Sequence, residues 1–142
     1  MLAADKTMYI EELDKSVQYA YMFLRPRRWG KSTFLQTLAN YYDKNKSASF
    51  EETFGQLYIG KHPTASRSSL LVLLFDFSVV GTADQFRDGF HRTLNRFLRT
   101  FLDNNAKFLG YPDSQTVIKD GDVAESMERV LVSTFASESW TR

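Results

Sequence analysis

The chain has 142 residues, of which 43% are apolar and 15% aromatic; it is long enough to bury a core and too apolar to remain disordered. Its net charge of +1 at pH 7 excludes a bulk pull toward nucleic acid or an anionic membrane, so any anion binding has to be local. With no cysteine in the sequence, disulfides, thiolate metal sites and a cysteine nucleophile are excluded.

The N-terminal stretch carries Ile10 and Leu13 at a spacing that turns both to one side of a helix over Tyr9 to Lys15. Thr7 stands where an N-cap belongs. Asp5-Lys6-Thr7 therefore reads either as a helix cap with a solvated charge pair or as a contact near an anion site, with the cap favoured. No apolar run approaches the roughly 20 residues of a membrane span, and no h-region of a signal peptide opens the chain. Together with the missing cysteines this suits a reducing, intracellular setting, cytoplasmic or nuclear.

Residues Tyr19 to Leu24 form an apolar run that predicts a buried strand. A basic loop, Arg25-Pro26-Arg27-Arg28-Trp29-Gly30, follows it and leads into Lys31-Ser32-Thr33. Strand, tight loop and helix start, in that order, are the parts of a phosphate-binding loop. In such a loop the backbone amides curl around the phosphates and the helix points its positive end at them. Lys31 is the candidate for the β- and γ-phosphates, Ser32 the candidate Mg²⁺ ligand, and Gly30 the residue that lets the backbone come close. Arg25 occupies the place of the usual first glycine, so the match to G-x-x-x-x-G-K-[ST] is incomplete. The competing account is a basic turn whose arginines are merely solvated.

Phe34, Leu35, Leu38, Tyr41 and Tyr42 then give the following helix a single apolar face. Ser49 and Glu52 have the spacing of a capping box for a short helix burying Phe50 and Phe54. Residues 55 to 69 read as a long loop in which Lys61, His62 and Arg67 are more readily solvated than ligand-bound. Leu70 to Phe77 predicts a second strand, buried on both faces, with Asp76 at its C-terminal end. Asp76 is a candidate Mg²⁺ ligand there, against a default role in capping the turn. Phe77 stands where a water-polarising glutamate would be needed, so no catalytic residue is assigned.

Thr82 and Gln85 suggest another capping box. A long amphipathic helix with Phe86, Phe90, Leu94, Phe97, Leu98, Phe101 and Leu102 on one face follows, packed on a sheet. Asn104 to Asp120 reads as a connection. A last helix begins at Asp122 and Glu125, with Val123, Met127, Val130, Leu131 and Phe135 as its stripe.

The loop R-P-R-R-W-G-K-S-T, with Asp5-Lys6-Thr7 and Ile10 upstream, resembles the AAA-ATPase-like domain family, whose members carry R-P-R-R-[FW]-G-K-S in place of a glycine-first loop. Leu57 to Thr64 and Val72 to Ser78 look like a fungal or other eukaryotic branch of it. The resemblance spans residues 5 to 100 and implies that Arg25 is a family feature. It also implies an acidic second motif on a later strand, and a nuclease-like region beyond, neither of which is visible. The expected fold is accordingly α/β, a P-loop NTPase-like parallel sheet with flanking helices, incomplete. Its strands at Tyr19 to Leu24 and Leu70 to Phe77 would be joined by a right-handed crossover. Residues 1 to 142 read as the N-terminal part of such a domain.

The expected function is binding of ATP with Mg²⁺ through Arg25, Pro26, Arg27, Arg28, Trp29, Gly30, Lys31, Ser32 and Thr33, with hydrolysis negligible. The alternative is a non-catalytic interaction domain whose arginine-rich loop holds another anion, such as a nucleic-acid backbone, although the net charge lends that no support. A protein partner or self-association stays open, and no membrane partner is expected.

Overall fold

The structure is a computed structural model and describes residues 5–16, 18, 20–79, 86–110 and 114–138. Seven α-helices are present among these residues: α1 (Met8–Lys15), α2 (Lys31–Tyr42), α3 (Phe50–Phe54), α4 (Tyr58–Lys61), α5 (Phe86–Leu109), α6 (Ser114–Val117) and α7 (Val123–Glu138). The chain divides into two compact units, Met1–Val72 and Leu73–Arg142.

The first unit is built around Tyr41. Its ring is fully buried among Ile10 of α1, Phe50 and Phe54 of α3 and Ile59 of α4, with Phe34, Leu38 and Leu57 packed on that cluster. The aromatic rings meet edge-on or stacked: Tyr41 and Phe54 are 5.6 Å apart at 87°, and Phe50 and Phe54 are 5.2 Å apart at 30°. These are the favourable geometries for aromatic quadrupoles. Burying a tyrosine requires a partner for its hydroxyl. Tyr41 Oη accepts from the Thr64 amide at 2.8 Å and shares a 3.0 Å hydrogen bond with Thr64 Oγ1. Thr64 Oγ1 in turn donates to Asp14, which also accepts from Tyr42 Oη at 2.6 Å. Burial, reinforced by the Asp14 carboxylate, raises the Tyr42 phenol well above its ordinary value.

Close approach of α3 and α4 depends on Gly60. A Cβ there would lie 1.8 Å from the Phe54 carbonyl oxygen. Residues 55–69, expected as one loop, contain α4, a single helical turn that a tertiary contact stabilises.

In the second unit α5 and α7 pack side by side over Leu94, Leu98, Phe101, Leu102 and Val130, with Val117 and Ile118 also buried. The expected connection from Asn104 to Asp120 therefore contains the end of α5, all of α6 and three core residues, Leu109, Val117 and Ile118. Asp122 caps α7 as expected, accepting from the Glu125 amide at 3.0 Å. His91 Nδ1 accepts from the Val123 amide at 3.2 Å, a second partner for the open amides of that helix. Of the expected α7 stripe, Val130 is buried while Leu131 and Phe135 are exposed. The α5 phenylalanines pack on aromatic neighbours rather than a sheet, Phe90 on Phe77 and Phe86, and Phe97 on Phe75.

Among the described residues the expected α/β parallel sheet is not formed, and with it falls the right-handed crossover. No strand occurs among the described residues; the one ladder element is an isolated parallel bridge between Asp43 and Leu70. It consists of the Leu70 amide donating to Tyr42 O and the Lys44 amide donating to Leu70 O, both at 2.9 Å. Beyond Leu70, residues 71–76 continue without a partner strand. The predicted first strand begins at Tyr19, which lies outside the described residues. Its remainder forms no regular element and is exposed, Met22 at 83% and Leu24 at 73%. An apolar run states a preference for burial but does not supply the neighbouring edge that a ladder requires. One capping expectation also changes and another is not reached. Ser49 donates to Lys46 O instead of capping α3; the Thr82–Gln85 box lies outside the described residues.

Gly60→Ala tests the α3–α4 contact. Alanine is the better helix former by about 1 kcal/mol, yet overlap with Phe54 O should make the variant less stable by about 1–3 kcal/mol in urea unfolding. A stability gain would show that the two turns do not meet as described.

Candidate anion-binding loop

Gly30 is the N-cap of α2 and adopts φ +75° and ψ +26°, the left-handed conformation that a side chain disfavours. Arg28 is also left-handed, at φ +66°. For a residue with a Cβ this conformation costs about 1–2 kcal/mol, so the loop holds strain at its tip. Only two non-glycine residues among those described have positive φ, and one of them lies in this loop. Strain of this sort concentrates where a backbone is shaped for a ligand.

Beyond Gly30 the amides of Lys31, Ser32 and Thr33 have no acceptor among the described residues; the first helical bond runs from the Phe34 amide to Gly30 O at 2.8 Å. Gly30 offers no side chain to cap them, and the first turn carries no acidic residue. Three open N–H groups and an uncompensated helix dipole are thus directed past the loop.

The cations gather around this end. Lys31 Nζ folds back and donates to Arg25 O at 2.6 Å, so the lysine side chain closes the loop on itself. Arg25 Nη1 donates to Leu24 O at 3.1 Å. Arg25, Arg27, Arg28 and Lys31 are exposed, and among the described residues none has a carboxylate within ion-pair distance. Elsewhere in the chain Lys15, Arg99, Lys119 and Arg129 are all paired.

A cavity of about 730 Å³ opens beside the loop, within the range of small-molecule sites. Lys6, Lys31 and Ser32 line it together with the rings of Tyr9, Tyr21 and Trp29. It thus joins cationic groups to aromatic ones in a single space.

The Asp5-Lys6-Thr7 stretch splits its roles. Thr7 has no side-chain capping bond at α1. Instead Asp5 Oδ1 accepts from the Thr7 amide at 2.9 Å and from Thr7 Oγ1 at 2.7 Å, and Asp5 Oδ2 accepts from the Tyr58 amide at 2.7 Å. Thr7 Oγ1 then accepts from the Ile59 amide at 3.2 Å. The pair therefore serves the open end of α4, 52 and 53 residues away. Partial burial works against the Asp5 carboxylate, but the hydrogen bonds from Thr7 and Tyr58 and the charge of Lys61 outweigh it, leaving its pKa below the usual 3.8. Between them Lys6 reaches the loop and donates to Trp29 O at 3.1 Å.

The candidate metal ligands fare differently. Ser32 lies in the first turn of α2, exposed, with a hydroxyl that has no hydrogen-bond partner among the described residues. It is therefore open to a hard cation in the sense that an oxygen ligand must be. Asp76 belongs to the second unit and closes a turn, its Oδ1 accepting from Ser78 Oγ at 2.6 Å and from the Ser78 amide at 2.9 Å. Those two bonds lower its pKa. No group of three histidine, aspartate or glutamate side chains arranged for a metal occurs among the described residues. Of the other basic residues considered, Arg67 stacks its guanidinium 4.6 Å from the Phe50 ring and His62 lies against Tyr58, so both serve packing.

The loop, closed by its own lysine, leads into α2 through Gly30, Lys31 and Ser32. The chain belongs to the family described as Predicted AAA-ATPase, whose profile matches residues 1–139. No curated protein and no solved structure matches it. No helix among the described residues is long and apolar enough to cross a membrane.

Asp5→Ala should lower stability by roughly 0.5–2 kcal/mol, the usual worth of a capping carboxylate. Because the folded pKa of Asp5 lies below its unfolded value, its contribution is full above about pH 4 and fades as pH falls through the folded value. Urea unfolding at pH 7 and pH 3 checks this: the gap between wild type and variant should narrow at pH 3. A gap that widens there would assign Asp5 the opposite sign.

Proposed function

We propose that residues Arg25 to Thr33 bind the phosphates of ATP together with Mg²⁺. The observation that carries the reading is the helix end itself: three amides without acceptors, at Lys31, Ser32 and Thr33, surrounded by cations without counter-ions. An anion with several oxygens satisfies both deficits at once. Family membership supports the choice of a nucleotide over another anion. Gly30 keeps the backbone free of a Cβ where a phosphate oxygen has to approach.

Each residue then has a role in the chain's own terms. Lys31 has three donors, one of which is spent on Arg25 O. The other two are free to hold phosphate oxygens without the loop opening. Ser32 offers its hydroxyl to Mg²⁺, which when bound would neutralise phosphate charge. Arg27 and Arg28 add positive potential at the loop tip. Trp29 is 59% exposed and borders the cavity, so an aromatic face is available to the organic part of the ligand. The proposed activity is binding alone. Hydrolysis also requires a carboxylate on the metal and a group that orients water, and Asp76 is engaged with Ser78 in the turn it closes.

Isothermal titration with ATP, with and without Mg²⁺, tests the proposal. Lys31→Ala should weaken binding by about a hundredfold, the scale of a lost charge-assisted hydrogen bond, with little change in melting temperature because Lys31 is exposed. Unchanged affinity in the variant removes the assignment. Binding that ignores Mg²⁺, falls steeply with salt and extends to any polyanion would instead favour the nucleic-acid reading.

A further inference from the structure

We propose that Lys6 is a second phosphate-binding lysine of this loop, delivered from outside the Arg25–Thr33 motif. The inference rests on the nucleotide-binding reading above and adds a ligand-contacting residue to it.

Three observations carry it. The first is where the ammonium sits. Lys6 Nζ donates to Trp29 O at 3.1 Å across 23 residues of sequence. Among the described residues, the chain neighbours of Gly30 aside, it is also the one atom that a Cβ on Gly30 would meet within 4 Å, at 3.9 Å. The side of Gly30 left open by the missing side chain is thus the side that Lys6 faces. A phosphate using that opening arrives beside the ammonium.

The second is how firmly Lys6 is held at its base. Asp5 and Thr7 on either side are fixed by hydrogen bonds to each other and to the amides of Tyr58 and Ile59, and Thr7 is buried. A helix cap alone requires no charged residue between them. The anchored flanks leave the Lys6 side chain as the one member of the triplet directed at the loop.

The third is its charge state of affairs. Lys6 is exposed, and among the described residues no carboxylate lies within ion-pair distance of it. Glu12 lines the same cavity without pairing with it. Lys6 lines one cavity with Arg25 and Lys31, and like charges at close range repel, a cost that an anion between them relieves. A backbone carbonyl occupies one of its three donors, leaving two for a ligand. Lys6 and Lys31 therefore form a pair: each is tethered to a loop carbonyl, Trp29 O and Arg25 O, and each has donors to spare. Such tethering limits the entropy lost when a long side chain is ordered on a ligand.

The test is calorimetric titration of the whole chain with ATP, ADP and AMP in the presence of Mg²⁺, for wild type, Lys6→Ala, Lys6→Arg and Lys31→Ala. Lys6→Ala should weaken ATP and ADP by about ten- to a hundredfold and AMP by less, because AMP has a single phosphate to lose. Lys6→Arg keeps the charge with different donor geometry and should restore most of the loss. Melting temperature should be the same in all four proteins. If wild type binds ATP, Lys31→Ala loses it and Lys6→Ala does not, the inference is overturned and the loop reading stands. Equal weakening for all three ligands, or a lowered melting temperature that Lys6→Arg fails to rescue, makes Lys6 structural and likewise overturns it. Wild type that binds no nucleotide overturns both.

Discussion

The carboxylate of Asp5 is the contact on which the first unit depends. It ties the start of α1 to the start of α4 through Thr7 and the Tyr58 amide, spanning 53 residues. A four-residue helix such as α4 has almost no internal hydrogen bonding of its own, since helix nucleation is unfavourable. Its open amides must be satisfied from elsewhere, and Asp5 and Thr7 satisfy those of Tyr58 and Ile59. Ile59 is then carried into the core with Ile10, and the α3 phenylalanines close over Tyr41. The same clamp fixes the position from which Lys6 reaches the loop. Capping and site placement are thus consequences of one carboxylate.

A second constraint concerns the placement of charge. The chain is almost neutral overall, yet among the described residues its basic loop has no acidic partner within ion-pair distance, while Lys15 and Arg129 each pair with a glutamate four residues before them and Arg99 pairs with Asp120. Isolated surface pairs are worth only about 0–1 kcal/mol, so their presence elsewhere says little about stability. At the loop their absence leaves a local positive field directed with the dipole of α2. The loop limits its own repulsion through backbone carbonyls at Leu24, Arg25 and Trp29, each accepting from one cation. Neutral acceptors of this kind hold the side chains in place without cancelling their charge.

The second unit follows a different logic. Its long helix α5 and its partner α7 are amphipathic, and the polar groups they bury are matched locally. Ser126 is fully buried and is held by Lys119 and Asp122, while Asn95 Nδ2 donates to Lys119 O at 2.9 Å. Among the buried side-chain atoms of the described residues of this unit, Asn95 Oδ1 alone has no hydrogen-bond partner. This unit supplies Asp76, but as the cap of a 3₁₀ turn at Phe77–Val79.

The sequence by itself determined what depends on neighbours within one turn of chain. The start of α2 at Lys31, the left-handed glycine before it, the short helix burying Phe50 and Phe54, the long α5 and the Asp122 cap all follow from i, i+3 and i+4 spacing or from a single residue's backbone preference. The R-P-R-R-W-G-K-S-T loop was legible for the same reason, and so was the family. Only the tertiary structure decided what depends on partners far along the chain. The apolar runs at Tyr19 to Leu24 and Leu70 to Phe77 announced a wish for burial, but a ladder needs another edge, and among the described residues a single bridge at Asp43 and Leu70 is all that formed. Likewise α4 exists because Asp5 and Thr7 reach it, and Lys6 meets Trp29 because the chain folds back across 23 residues. Periodicity encodes which face of an element is apolar; it carries no address for the group that will face it.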